Sequence, residues 1–310
     1  MKINLHFPGQ GAQFKTMGLD FYEKYDTYRD LIDEAGMICG TDLVSVLNDE
    51  EKLNETENAQ VAIFTMSYGI AQLLKEEGID ADHALGLSLG EYGALTYAGA
   101  MDRQDTMRLL KRRSFLMQKA SEENRGFLAA VSFMPRDAVR EALRGLTGVT
   151  ISNCNADNQN VVGGRIALKE EFERRIREHG GKKITFLNVS GAFHTPLMES
   201  AAVKFKDYLD LFTFSHPKVP VLSNLKGDFY SEEDSIREIL MKHIHKPVLL
   251  DSCLFKLESS DEDIHILLGP GKALGSILKQ NKIKGQVYTI NEAEDLIKAV
   301  KGIKESQYGK

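Results

Sequence analysis

One pentapeptide narrows the folds open to this chain more than any other feature. Gly86-Leu87-Ser88-Leu89-Gly90 matches the pattern G-x-S-x-G. A serine flanked in this way sits on a sharp, strained turn between a strand and a helix, where side chains larger than glycine's hydrogen would strike neighbouring strands. The surroundings supply the rest of that unit. Residues 83–87 (HALGL) form a short apolar run of strand type, and helical spacing resumes after Ser88 to about Tyr97. Upstream, Ala59, Ile63, Met66, Ile70, Leu73 and Leu74 mark a helix over 57–77 that Gly78 stops. Helix, strand, sharp turn, helix is an α/β signature. Residues 3–7 (INLHF) add a strand that enters a tight loop at Pro8-Gly9.

The middle of the chain follows another order. Residues 126–133 (GFLAAVSF) read as a strand, and Pro135 opens a helix running to about Leu146. Two strands follow, 149–154 (VTISNC) and 160–166 (NVVGGRI), with the polar turn NADNQ between them. A helix over 169–179 closes at Gly180-Gly181, and residues 183–189 (KITFLNV) give a last strand. The order β-α-β-β-α-β is that of a ferredoxin-like unit. The expected organisation is therefore a discontinuous α/β domain, 1–124 and 191–310, carrying a small domain at 125–190. Helices are expected near 196–211 and 232–243, a buried strand at 264–269, a break at Gly269-Pro270-Gly271 and a helix from Lys272 to Gln280, with a frayed tail after Ile303.

Composition excludes several classes. With 310 residues, 42% hydrophobic and 27% charged, the chain has the make-up of a packed globular protein. A net charge of −6 argues against a nucleic-acid binder. Cys39, Cys154 and Cys253 are far apart, without the spacing of a disulfide framework or a zinc site, so three reduced thiols and no metal are expected. The apolar stretch in MKINLHFPGQ is too short for a signal peptide, and no long apolar run follows. The expected place is the cytoplasm, away from membranes.

Serine needs a base before it is a useful nucleophile. Eight histidines are available. His6 and His83 lie in strands, His179 sits at a helix end, and His216 and His265 have no distinguishing neighbours. His194, in Gly191-Ala192-Phe193-His194-Thr195-Pro196, lies where the chain returns from the inserted unit, a place where active-site groups collect. These residues alone leave the choice open, because a lone histidine is usually structural. The helix that starts after Ser88 offers unpaired N–H groups and a positive dipole end to a developing oxyanion.

Four motifs then occur in order: residues 7–13 (FPGQGAQ), 86–91 (GLSLGE), 191–198 (GAFHTPLM) and 269–272 (GPGK). Together they resemble the malonyl-CoA:acyl carrier protein transacylases of fatty-acid synthesis and the acyltransferase domains of polyketide synthases. The resemblance spans nearly the whole chain. It implies an α/β-hydrolase-like domain with a ferredoxin-like insertion, and a ping-pong transfer of malonyl from coenzyme A through Ser88 to the phosphopantetheine thiol of a carrier protein. No cofactor is implied beyond the thioester substrate. His194 is implied as general base, oriented by a backbone carbonyl that the match places at His243, where the family commonly has glutamine. The oxyanion hole falls to the backbone N–H groups of Leu89 and Gln10.

The resemblance also assigns the substrate pocket. Arg113, in Arg112-Arg113-Ser114-Phe115-Leu116-Met117-Gln118, matches the family's carboxylate-binding arginine, although an arginine in a helix is by default exposed. Arginine's planar fork suits a carboxylate. Gln60 matches a pocket glutamine, and Asn155 and Gln159 match a polar turn near the cleft. Phe193 matches a position where bulk goes with malonyl rather than methylmalonyl. Two departures stand out: Leu87, where the family often has histidine, and Leu267, where it often has an acid. Lys111, Arg112, Lys182, Lys183 and Lys272 are candidates for a basic rim facing an acidic carrier protein. The rival readings are an acyl hydrolase on the same scaffold, a trans-acting acyltransferase of a polyketide pathway, an unrelated serine esterase, and a non-catalytic docking module. Arg113 speaks against the hydrolase, and the esterase's HGGG-type loop is missing.

Overall fold

The protein is described by a computed structural model that covers residues 1–308. Its strands are β1 (Ile3–Phe7), β2 (His83–Gly86), β3 (Gly126–Ser132), β4 (Val149–Ala156), β5 (Gln159–Arg165), β6 (Lys183–Phe186), β7 (Val221–Ser223), β8 (Asp228–Phe229), β9 (Ile264–Leu268) and β10 (Gln286–Ile290). A six-stranded sheet runs β10-β9-β1-β2-β7-β8. All its neighbours pair parallel except β8, which runs antiparallel on the β7 edge. Every residue of β1 and of β9 is buried, as a central parallel strand covered on both faces requires. The second sheet is antiparallel, ordered β4-β5-β3-β6. With helices Arg136–Ala142 and Lys169–Glu178 it gives the β-α-β-β-α-β order expected between residues 126 and 186.

The larger sheet positions the site. Loops leave the carboxyl ends of β1, β2 and β9 side by side, carrying Gln10, Ser88 and Gly269-Pro270-Gly271 respectively. A crevice beyond the carboxyl ends of parallel strands is where open α/β sheets hold ligands. Helix Thr56–Glu76 packs against helix Arg103–Glu123, and Gly90–Tyr97 packs against β1, β2 and β7. The first of these is buried over most of its length, so it belongs to the core rather than to an amphipathic surface.

Several expected boundaries move. Pro135 caps the helix from outside, and the helix ends at Ala142 rather than near Leu146 because the chain turns through Gly145 at φ 74°. The turn between β4 and β5 shrinks from five residues to Asp157-Asn158, since bulges let the polar residues around it stay in strand pairing. Strand β6 stops at Phe186, and Leu187, Asn188 and Val189 go on to line cavities beside the site. Helices begin later than expected, at Glu199 after a 3₁₀ turn and at Ile236 behind its Ser235 cap. The tail does not fray after Ile303: helix Ala293–Tyr308 continues through it, anchored by Ile303, which is fully buried. Residues 309 and 310 lie outside the described residues.

Candidate active site

The turn after β2 has the geometry its glycines foretell. A Cβ on Gly86 would stand 1.9 Å from the Gly90 carbonyl carbon, and one on Gly90 would stand 2.3 Å from the Phe7 oxygen. Neither position admits a side chain. Between them Ser88 takes φ 55°, a left-handed conformation that costs a non-glycine residue about 1–3 kcal/mol. Leu87 N donates to Phe7 O at 3.0 Å, and Glu91 N donates to Ser88 O at 3.1 Å, so the serine is clamped between β1 and the new helix. Leu89 stands at the start of that helix, where backbone N–H groups have no intrahelical partner.

His194 arrives from the other side. It too has positive φ, 59°, and its N–H donates to Ile244 O at 3.2 Å. Its Nε2 lies 2.7 Å from Ser88 Oγ, and its Nδ1 lies 2.7 Å from the carbonyl oxygen of His243. A carbonyl can only accept, so Nδ1 carries the proton and Nε2 presents its lone pair to the serine hydroxyl. Burial, and then the Arg113 charge, push the His194 imidazole down to about 3, leaving it neutral at pH 7.

Arg113 is 1% exposed, against the default for an arginine in a helix. Its Nη1 donates to Gln60 Oε1 at 2.7 Å, its Nη2 donates to Ser88 Oγ at 3.3 Å, and the guanidinium sits 5.4 Å from the Tyr92 ring centroid. Burial lowers its pKa from the ordinary value. Among the described residues no carboxylate forms an ion pair with this cation, although the buried Glu91 charge reaches it, and its Nε has no hydrogen-bond partner. An unpaired buried cation is costly and calls for an anion. Gln60 is buried as well, and its amide donates to Gln10 Oε1 at 3.2 Å, which links the arginine to the β1 loop.

Behind these groups lies a second polar layer that sequence reasoning missed. Asn224, just after β7, accepts from Ser88 N at 2.7 Å and donates to Gly86 O at 2.7 Å. Glu91 is wholly buried: its Oε1 accepts from Tyr230 Oη at 2.5 Å and its Oε2 accepts from Asn224 N at 3.0 Å. Burial raises the Glu91 carboxyl to about 7. Asn224 and Tyr230 fall more than 130 residues from the motif they support, so no local pattern marks them.

Two cavities meet along Gln10, Gly11, Gln13, Asn54, Asn188 and Val189. One, about 590 Å³, has Glu51, Glu55 and Glu57 on its wall. The other, about 380 Å³, is more apolar, with Leu87, Leu187, Leu267, Pro270 and Leu274. The two departures from the family pattern thus share one wall. Ser88 lines neither cavity itself, but Leu87 precedes it in the chain and Gln10 is joined to it through Gln60 and Arg113.

The chain as a whole is similar to known proteins. A family model described as acyl transferase domain matches residues 6–280. The chain belongs to the acyl transferase family. The malonyl CoA-acyl carrier protein transacylase of Bacillus subtilis is 34% identical over 310 residues, covering 98% of each chain. Among solved structures, malonyl CoA-acyl carrier protein transacylase from Clostridium perfringens superposes with TM-score 0.93 at 32% identity, over 99% of this chain and 98% of that one. A malonyl-transacylase in complex with a type II PKS acyl-carrier protein superposes with TM-score 0.92 at 27% identity, over 97% and 100%.

Within this acyl transferase, Ser88, His194, the His243 carbonyl, Arg113, Gln60 and Gln10 come together. Phe193, next to the histidine, is buried. Asn155 and Gln159 line neither cavity; the Asn155 carbonyl instead accepts from Asn281 Nδ2 at 2.8 Å. The other histidines are held elsewhere: His6 against His265 at 3.0 Å, His83 on Asn4 at 3.0 Å, and His179 on the Arg175 carbonyl at 2.9 Å. Among the rim candidates, Lys111 pairs with Glu57 at 3.4 Å, while Arg112 lies over Phe115 and Tyr208 and Lys183 over Phe133. Lys182 and Lys272 are exposed. Among the described residues no group of three His, Cys, Asp or Glu is placed to hold a metal ion, and no helix is long and apolar enough to cross a membrane.

Proposed function

We propose that this chain transfers malonyl from malonyl-CoA to the phosphopantetheine thiol of an acyl carrier protein, through a malonyl ester on Ser88, in the cytoplasm and for fatty-acid synthesis. The observation that carries the proposal is the buried Arg113 guanidinium, 3.3 Å from the Ser88 hydroxyl and in no ion pair among the described residues. The relatives named malonyl CoA-acyl carrier protein transacylase support it independently.

Ser88 Oγ attacks the thioester carbonyl while His194 Nε2 takes its proton. The imidazolium that forms keeps its Nδ1–H on the His243 carbonyl. The backbone N–H groups of Leu89 and Gln10 receive the oxyanion. Collapse expels the coenzyme A sulfur, which takes the proton back from His194 Nε2. The carrier-protein thiol then repeats the sequence in reverse, its proton passing to His194 and its sulfur forming the new thioester as Ser88 leaves. Arg113 clamps the free malonyl carboxylate in both halves, and Gln60 fixes the guanidinium plane. Phe193 crowds an α-methyl branch. The pantetheine arm fits the apolar cavity lined by Leu87, Leu267 and Pro270, since Glu51, Glu55 and Glu57 on the other repel coenzyme A phosphates. No cofactor enters, because the thioester is already activated.

The test is transfer of malonyl to a purified holo carrier protein, with free coenzyme A release and free malonate measured together. Stoichiometric malonyl-carrier product supports the proposal. Release of malonate to water without carrier loading overturns it in favour of the acyl hydrolase.

A further inference from the structure

The side chain of His243 has no part in the chemistry above, where only its carbonyl acts. Yet it is 1% exposed, and neither ring nitrogen has a hydrogen-bond partner among the described residues. Its ring lies against that of His194, with centroids 4.9 Å apart and planes inclined by 34°. Its Nδ1 lies 3.5 Å from Glu91 Oε2, an approach without a formed hydrogen bond. The same Glu91 oxygen accepts from Asn224 N, and the Asn224 side chain accepts from the backbone N–H of Ser88. One buried carboxylate therefore touches the support of the nucleophile on one side and the residue that orients the base on the other.

We propose that Glu91 and the His243 imidazole form a positioning pair for the transfer reaction: ionised Glu91, 3.5 Å from Nδ1, attracts the Nδ1–H of neutral His243 and so steadies the residue whose carbonyl orients His194. The proposal rests on Ser88 and His194 acting as assigned above. A carboxylate placed one residue behind the carbonyl does at second hand what an acid in direct contact does in a serine–histidine–aspartate triad. When His194 takes the serine proton, a positive charge appears beside the Arg113 cation in a water-poor site. A nearby carboxylate charge offsets it only when Glu91 is ionised. Protonated Glu91 gives up that charge and, as a donor, also opposes the His243 N–H.

The groups facing Glu91 limit what can titrate with it. They are Tyr230, Tyr92, Arg113, His243 and Cys253, with His194 beyond His243. Burial holds both histidines well below their ordinary value and both tyrosines and the thiol above theirs. Glu91 alone is moved to about 7, by burial. A limb near neutral pH in the rate of malonyl-enzyme formation thus reports Glu91.

The experiment is stopped-flow or quenched acylation by malonyl-CoA from about pH 5.5 to about 9, with wild type, Glu91→Gln and Tyr230→Phe. Wild type should lose acylation rate as pH falls through about 7. Glu91→Gln should lose that limb and show a plateau lowered on the order of tenfold. Tyr230→Phe removes a donor to the carboxylate, so it should move the limb to higher pH. Because Tyr230→Phe keeps the ring, it serves if Glu91→Gln fails to fold. An unchanged limb in Tyr230→Phe, or a wild-type limb in folded Glu91→Gln, overturns the pair even if thermal stability falls. Loss of all acylation in Ser88→Ala, with the limb unchanged in both variants, would leave the nucleophile standing and remove only Glu91.

Discussion

Arg113→Ala should convert a malonyl-selective enzyme into one that no longer distinguishes malonyl from acetyl. The guanidinium is held by Gln60 Oε1 at 2.7 Å and reaches Ser88 Oγ at 3.3 Å, so a malonyl carboxylate bound there is buried with it. Removing one partner of a buried ion pair costs about 3–5 kcal/mol. That corresponds to a fall on the order of 10²- to 10⁴-fold in kcat/KM for malonyl-CoA. Acetyl-CoA brings no carboxylate, and in the wild type it leaves the Arg113 cation without an anion; alanine removes that penalty, so acetyl kcat/KM should hold or rise. The assay is paired kcat/KM for the two thioesters with one carrier protein, alongside a melting curve, because a wholly buried side chain leaves a cavity when truncated. An equal loss for both thioesters, with the variant folded, would refute the assignment of Arg113 to the carboxylate and leave it as a support for Ser88.

Three further outcomes follow from the geometry. Asn224→Ala removes the acceptor of Ser88 N and the donor to Gly86 O, two buried bonds worth about 1–3 kcal/mol each when one partner is stranded, and should lower kcat more than it changes KM. Gly86→Ala should abolish soluble expression or activity, read by circular dichroism and yield, since its Cβ has backbone at 1.9 Å. Phe193→Ala should raise kcat/KM for methylmalonyl-CoA relative to malonyl-CoA by about 1–3 kcal/mol in discrimination, measured by direct competition.

The strand–turn–helix around Ser88 was legible because its glycines, apolar run and helical spacing are all local. The four-stranded sheet was legible for the same reason, with errors confined to ends: Pro135 stands outside its helix and the β4–β5 turn holds two residues. The burial of Arg113 was not readable from the arginine itself; only the resemblance separated it from its exposed neighbour Arg112. Asn224, Tyr230 and the Glu91–His243 approach lay beyond reach because each joins elements more than 130 residues apart in sequence. Strand β7, which delivers Asn224, is three residues long and shows no period of its own. Asn155 and Gln159 match the motif of the small domain and, like Ser88, line neither cavity.

The central claim is that Ser88 carries the malonyl group. Intact-protein mass spectrometry after brief mixing with malonyl-CoA tests it most directly, with wild type and Ser88→Ala side by side. The mechanism predicts one malonyl adduct on the wild type, mapped to the peptide holding residues 86–91, discharged by holo carrier protein and absent in Ser88→Ala. A malonyl adduct that persists in folded Ser88→Ala, or carrier loading by the wild type without any adduct on residue 88, would contradict it.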